Sequence, residues 1–194
     1  VSIASLLKAL GVALAGLALG LWLTEAALSG LAPIAVDRLG QWRFAARAGA
    51  DDADPYARAR VARSGEIPLA LGEGVTLTTD VDSQGRALNA ACVYKVGPQA
   101  PTARYWTLTP VDADGFPLDN GGDRYVMRST EILRGGDGRF WIWLSTRAHA
   151  GNWLPIGGRG AFGLALKLYD PQLGDASVGF ERATAPSVIR ERCG

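Results

Sequence analysis

RYWTLTPVDADGFPLDN, residues 104–120, runs from a strand pattern into a turn without a break. Tyr105, Thr107 and Thr109 alternate with Trp106 and Leu108, the two-residue period of a strand with one face inward. Asp112-Ala113-Asp114-Gly115 then reads as a turn: the Asp side chain bonds nearby backbone and the Gly accepts positive φ. The same texture holds from residue 66 onward. Strands are expected at Glu66–Leu71, Val75–Asp80, Ala91–Val96, Arg104–Val111, Arg124–Arg128, Phe140–Ser145, Gly160–Tyr169 and Val178–Ala183. Their joints read DSQG, DADG, DNGGD, GGDG and DPQLGD. Short strands at this spacing, with no long helix between them, predict an antiparallel sandwich or barrel. In FWIWLS (140–145), Phe140, Ile142 and Leu144 take one face and Trp141 and Trp143 the other. Either both faces are covered, the reading preferred for two tryptophans, or the tryptophan face binds something.

Upstream the chain changes character. Residues 3–23 carry one charge, Lys8, and 21 residues span a hydrocarbon core of roughly 30 Å. Lys8 sits where it can snorkel to headgroups, and Trp22 sits at the other interface. The rival reading is a cleaved signal peptide. Glu25 is an atypical cleavage neighbour and the apolar run is long for such a peptide, so an uncleaved anchor over 1–28 is expected. The rest of the chain is then exported. Charge bias gives only slight support for a cytoplasmic N-terminus, because Lys8 opposes Arg38 and Arg43 on the far side.

Residues 29–65 are expected to be a juxtamembrane helical segment. Val36, Leu39 and Trp42 recur at three-residue spacing with Arg38, Arg43 and Arg47 between them, either along the bilayer surface or as a stalk packed on the domain. A second helix is sharply specified: Asp54 as N-cap, Pro55 at the first position, Arg60 and Arg63 in the last turn, Gly65 past the end. Tyr56 and Val61 are expected to pack. The sandwich is expected over 66–194.

Two cysteines, Cys92 and Cys193, fall in the exported part. In an oxidising compartment they are expected to pair, tying the C-terminal tail to a strand across a loop of about 100 residues. The chain-entropy contribution is up to ~4–5 kcal/mol.

Chemistry is sparse. Twenty basic residues balance 19 acidic ones, so there is no concentrated basic footprint for nucleic acid. Nucleophile-elbow, zincin, CxxC, P-loop and dinucleotide motifs are absent. A single histidine excludes a multi-histidine metal site within one chain. Asp80, Asp82, Gln84 and Gly85 begin like a calcium loop, but Ala91 stands where the bidentate Glu belongs, so a hairpin turn is expected. No cofactor is implied. The remaining candidate is RAHAGNWLPI (147–156). As structure, Trp153 plugs the end of the sandwich, Asn152 bonds backbone and His149 is solvated. As a site, Trp153 is an apolar platform with His149, Asn152 and Arg159 around it.

ARYWTLTPVDADGFPLDN, RYVMRS and NWLPIGGRGAFGLALKLYDP together resemble the DUF1214 family, and DPYARARVARSGEIPL resembles the upstream part of its short, membrane-anchored bacterial members. The resemblance covers roughly residues 50–185. It implies a jelly-roll-like β-sandwich. It also implies a domain that often forms the C-terminal half of longer proteins with a DUF1254 domain, which these 194 residues do not contain. No catalytic residue comes with it. The combined expectation is a single-pass protein of the bacterial inner membrane with a periplasmic sandwich. It would be a non-enzymatic module for an envelope glycan, lipid or protein partner. The alternative is a periplasmic hydrolase acting on a glycan or lipid-derived substrate.

Overall fold

The computed structural model describes residues 2–29, 37–44, 49, 53–64, 69, 73–158, 160–171 and 185–194. Strands expected at Glu66–Leu71 and Val178–Ala183 lie outside them, Leu69 apart, and so do Arg47, Gly65 and Arg159.

Helix α1 covers Ile3–Leu28, capped by Ser2, and buries none of its residues. Twenty-six residues rise about 39 Å, enough to cross a bilayer. Helix α2 covers Pro55–Ser64. Asp54 caps it as expected: its Oδ1 accepts from the Tyr56 and Ala57 amides at 2.9 and 3.1 Å. Arg63 in the last turn reaches back to α1, with Nη1 3.0 Å from Glu25 Oε2. Tyr56 is exposed rather than packed.

The remainder is a two-sheet sandwich. Ten strands are described: β1 Asp37–Leu39, β2 Trp42–Phe44, β3 Gly74–Thr79, β4 Cys92–Gly97, β5 Ala103–Val111, β6 Met127–Arg128, β7 Ile142–Ser145, β8 Asn152–Pro155, β9 Gly163–Pro171 and β10 Ser187–Cys193. One sheet runs β1-β2-β3-β9-β5-β6 and the other β10-β4-β7-β8.

Residues 37–44 are a hairpin on the edge of the larger sheet, not the helix that the Val36–Leu39–Trp42 spacing predicts. The reason is Trp42. It is fully buried, and its indole N–H donates to the Pro186 carbonyl at 2.7 Å. Alternation puts Phe44 beside it in the core, whereas a helix would turn Phe44 away.

The inner faces interlock by rows. Across the larger sheet, Leu77, Leu166, Leu108 and Met127 stand opposite one another, each 0–1% exposed. From the smaller sheet, Tyr94, Leu144 and Leu154 form the facing row. Trp106 stacks on Phe140 across the interface, ring centroids 5.4 Å apart. The outer row of the larger sheet is Thr76, Lys167, Thr107 and Arg128, a polar surface.

One pairing departs from the antiparallel expectation: β7 and β8 are parallel, with Trp143 opposite Trp153. Parallel neighbours usually need a long crossover. These strands have four residues each, so the return covers only about 10 Å at ~3.3 Å per residue. The six residues 146–151 reach that far, turning on Gly151 at φ +85°.

The C-terminal strand is fastened three ways. The Cys92–Cys193 disulfide is formed, as expected. Val188 is buried and exchanges hydrogen bonds with Ser83, each 2.9 Å. Asp82, 1% exposed, accepts from the Gln84 and Arg86 amides and from Arg86 Nε, with Arg190 Nε 3.2 Å from its Oδ2. This is the turn expected of the calcium-like segment, and its carboxylate holds arginines. Burial pushes the Asp82 pKa up, but the Arg86 and Gln84 amides and the Arg86 guanidinium outweigh it and hold it below the ordinary value.

Two outcomes follow. Reduction of the disulfide lowers the unfolding free energy of the full chain in detergent micelles by about 4 kcal/mol, measured by chemical denaturation with and without dithiothreitol. Asp82→Asn costs about 3 kcal/mol at neutral pH, because it strips a buried anion from its cations. A depressed folded-state pKa gives stability that is full above the unfolded value, about 3.9, and lost as pH falls through the folded one. The wild-type advantage therefore declines as pH falls below the unfolded value, and an advantage independent of pH would contradict the assignment.

Candidate functional site

RAHAGNWLPI is half loop and half strand. Asn152 begins β8 with its side chain turned inward, 7% exposed. Its Oδ1 accepts from the Leu133 amide at 2.7 Å, and its Nδ2 donates to the Leu133 and Trp141 carbonyls at 2.8 and 3.0 Å. Those bonds commit the amide to the protein itself. Trp153 is half-buried. Its indole N–H donates to Ser145 Oγ and O at 3.1 and 3.2 Å, and its carbonyl accepts from Arg124 Nη1 at 3.0 Å. His149 is half-buried and lies not on Trp153 but on Trp143. Three of the four predicted residues are thus placed. Asn152 and Trp153 brace the strand, and His149 reaches its outer surface.

That surface holds the residues the RAHAGNWLPI reading omitted. Across the smaller sheet, Ile189, Lys95, Trp143 and Trp153 form one outward row. Trp141 stands two residues along β7's side of the row and is 37% exposed. Trp141 is exposed whereas Trp143 is half-buried under His149 and Lys95, so the tryptophan face of FWIWLS is covered in part and open in part. Lys95 lies over both indoles, its ammonium 4.7 Å from the Trp143 ring and 5.8 Å from the Trp141 ring. The same ammonium pairs with Glu191 at 2.9 Å. Gly97 allows β4 to pass this close: a Cβ there would stand 2.3 Å from the Phe140 carbonyl oxygen and 3.0 Å from the Trp141 ring.

The loop 133–139 raises a wall beside the tryptophans. It is closed by the Gly135 amide on the Arg139 carbonyl, 2.8 Å, and by Asp137 Oδ1 accepting from the Arg139 amide, 3.0 Å. Arg134 lies 4.9 Å over the Phe140 ring. Leu133 at the base is 68% exposed. Wall and sheet enclose an open cleft of about 510 Å³, lined by Leu133, Arg134, Asp137, Arg139, Trp141 and Trp143. Outside α1, displaced pKa values fall on Asp82, on Arg63, raised by its bond to Glu25, and on Tyr125, raised by burial and by Asp119 and Asp123. None of the three lines the cleft. Among the described residues, no group of three or more His, Cys, Asp or Glu side chains could hold a metal.

The model of the DUF1214 family, a protein of unknown function, matches residues 73–173, just over half the chain. The chain belongs to the DUF1214 family. That match spans both sheets and the whole cleft wall. Among curated proteins nothing matches. The crystal structure of the VPA0106 protein from Vibrio parahaemolyticus is similar in fold, with a TM-score of 0.58 at 20% identity over 73% of this chain. A protein from Burkholderia cenocepacia gives 0.43 at 16% identity over 66%, too loose to carry weight. This chain spans about a third of either protein, 36% and 32%.

The DUF1214 sandwich separates bracing residues from surface ones, and stability measurements on the full chain check the division. Asn152→Ala leaves a donor and two carbonyls without partners and costs about 3 kcal/mol. Trp153→Ala costs about 2 kcal/mol, less than a fully buried tryptophan. His149→Ala stays within ~0.5 kcal/mol. A large loss at His149 with none at Asn152 would reverse the assignment.

Proposed function

We propose that this DUF1214 protein is a non-enzymatic binding module of the bacterial cell envelope, and that its ligand or partner seats in the cleft over Trp141 and Trp143. The module is held at the inner membrane by α1, with the N-terminus cytoplasmic and the sandwich in the periplasm. The observation that carries the reading is the contrast between the two outer faces. The larger sheet shows water a row of Thr, Lys and Arg beside one Tyr105–Tyr169 pair, whereas the smaller sheet shows a row with two tryptophans and a concave wall. An apolar floor with a few polar groups converging on it is the usual make-up of a small-ligand site. Support for the location is coarser: one helix is long and apolar enough to cross a membrane, and the formed disulfide suits an oxidising compartment.

The hydrolase alternative asks more of the same cleft. Glycan hydrolysis commonly uses a pair of carboxylates. Asp137 is the only carboxylate among the described lining residues, and it is occupied in closing its own turn.

Thermal unfolding of the full chain in detergent micelles tests the reading, with envelope glycans, lipids and peptides added in turn. At least one class should raise the midpoint. Trp141→Ala should abolish that rise while changing stability by less than about 1 kcal/mol, since the ring is 37% exposed. A rise that survives the substitution, or no rise with any class, refutes it.

A further inference from the structure

His149 lies beside the cleft rather than in its lining, and it indicates what kind of ring the Trp143 indole accepts. Its imidazole lies flat on the Trp143 indole, centroids 3.8 Å apart and planes 13° from parallel. The ring's polar contact is a 3.4 Å approach of Nδ1 to the neighbouring Ala150 carbonyl, at the long limit of a hydrogen bond. The loop that carries it is exposed through residues 146–148, and His149 itself is half-buried against the indole. The Trp143 face therefore accepts a flat five-membered ring, and the polar contact that holds this ring is a long one. An indole face is electron-rich and attracts the polarised C–H groups of a pyranose as it attracts other ring edges and cations.

The surroundings narrow the choice. An apolar aromatic ligand would need apolar walls, but this rim is charged: Arg134, Arg139 and Asp137 on the wall, Lys95 over the floor. Such a rim suits a ring with hydroxyls around its edge. The cations Lys95, Arg134 and Arg139 outnumber the carboxylates Asp137 and Glu191. Lys95 and Arg139 pair with Glu191 and Asp137 at 2.9 and 3.8 Å, solvent-accessible pairs that an incoming anion can join, and Arg134 meets the neutral Gly138 carbonyl and Phe140 ring. The surplus is one positive charge. Trp141, two residues from Trp143 on the same face, adds a second platform roughly 6.6 Å along the strand, so more than one ring of a chain is accommodated.

We propose that the Trp141–Trp143 cleft binds an acidic saccharide. One pyranose ring takes the place of His149 on Trp143, a neighbouring ring lies on Trp141, and the anionic substituent meets Lys95 and Arg139. His149 is a displaceable cap that mimics the ligand's ring. The proposal rests on the binding-module reading and names its ligand.

Isothermal titration of the full chain in detergent micelles tests it, with tetragalacturonate as the acidic probe and chitotetraose as the neutral one. Tetragalacturonate should bind about five-fold more tightly than chitotetraose at low salt, the gap closing as salt rises. Trp141→Ala should weaken it about ten-fold. Lys95→Gln should bring the two sugars within about two-fold of each other. His149→Ala should strengthen binding about three-fold, because no ring then has to be displaced. Equal affinity for both sugars overturns the acidic assignment. An unchanged or weakened His149→Ala overturns the cap. If neither sugar binds, the saccharide proposal fails. The binding-module reading survives that result only if a lipid or peptide gives a midpoint rise that Trp141→Ala removes.

Discussion

A strand with one buried face cannot slip by one residue without exchanging its faces, and in β7 that constraint governs everything outside it. Phe140, Ile142 and Leu144 fill the interface between the sheets, so Trp141 and Trp143 must point out. The register is locked on both sides. Lys95 stands opposite Trp143 on β4, and Trp153 stands opposite it on β8. A slip would push two indoles into a core already filled by Trp106, Tyr94 and Phe162, and would put Ile142 and Leu144 in water. The outward tryptophans are thus a consequence of core packing, yet packing alone does not require tryptophan there. Threonine serves the same outward positions on β3 and β5.

Asn152 converts that register into a cleft. One side chain ties the start of β8 to the carbonyl of Trp141 and to both backbone groups of Leu133. The wall and the floor are therefore joined through a single buried amide. Neutral hydrogen bonds contribute about 1 kcal/mol each, but leaving buried partners unmade costs more. The amide's geometric role exceeds its energetic one: it sets how far Leu133 and Arg134 stand from the Trp141 ring.

Much of this was legible in residue order where the signal is a long, uniform pattern. The 21-residue apolar run, the Asp-Pro start of α2 and the alternation in Tyr105–Thr109 each depend on local physics, and each element forms as read. The cysteine pair was legible because only one pairing existed. Four strands were not. In β1 and β2, Val36, Leu39 and Trp42 imitate a helical stripe, and only the distant Pro186 carbonyl shows that Trp42 must lie flat in a sheet. β8 has four residues between a glycine and a proline, too few for periodicity to register. β10 reads SVIRERC, and its charges conceal that Val188 is fully buried and that Arg190, in phase with it, turns in towards Asp82. The site suffered from the same limit. FWIWLS announced two tryptophans on one face, but which face lay open depended on Gly97 letting β4 approach and on where the 133–139 loop closed. The first joins segments about 43 residues apart, and the second depends on Asn152, 19 residues beyond Leu133.

The separation of bracing from exposure also explains why RAHAGNWLPI resists a single label. Asn152 and Trp153 spend their polar atoms on backbone and on Ser145, as core residues do. Four residues before Trp153, His149 lies half-buried at the surface with its ring on an indole. A loop that served only to return the chain from β7 to β8 would need its six-residue reach and its positive-φ glycine, and nothing more. A histidine stacked on the open face adds no buried hydrogen bond to the fold. It covers part of an apolar surface that would otherwise face solvent, and it can leave without disturbing β8, because the strand is anchored beyond it by Asn152. A strand fixed at one residue and a cap free at another is the mechanical requirement for a surface that must be shielded when empty and available when a ligand arrives.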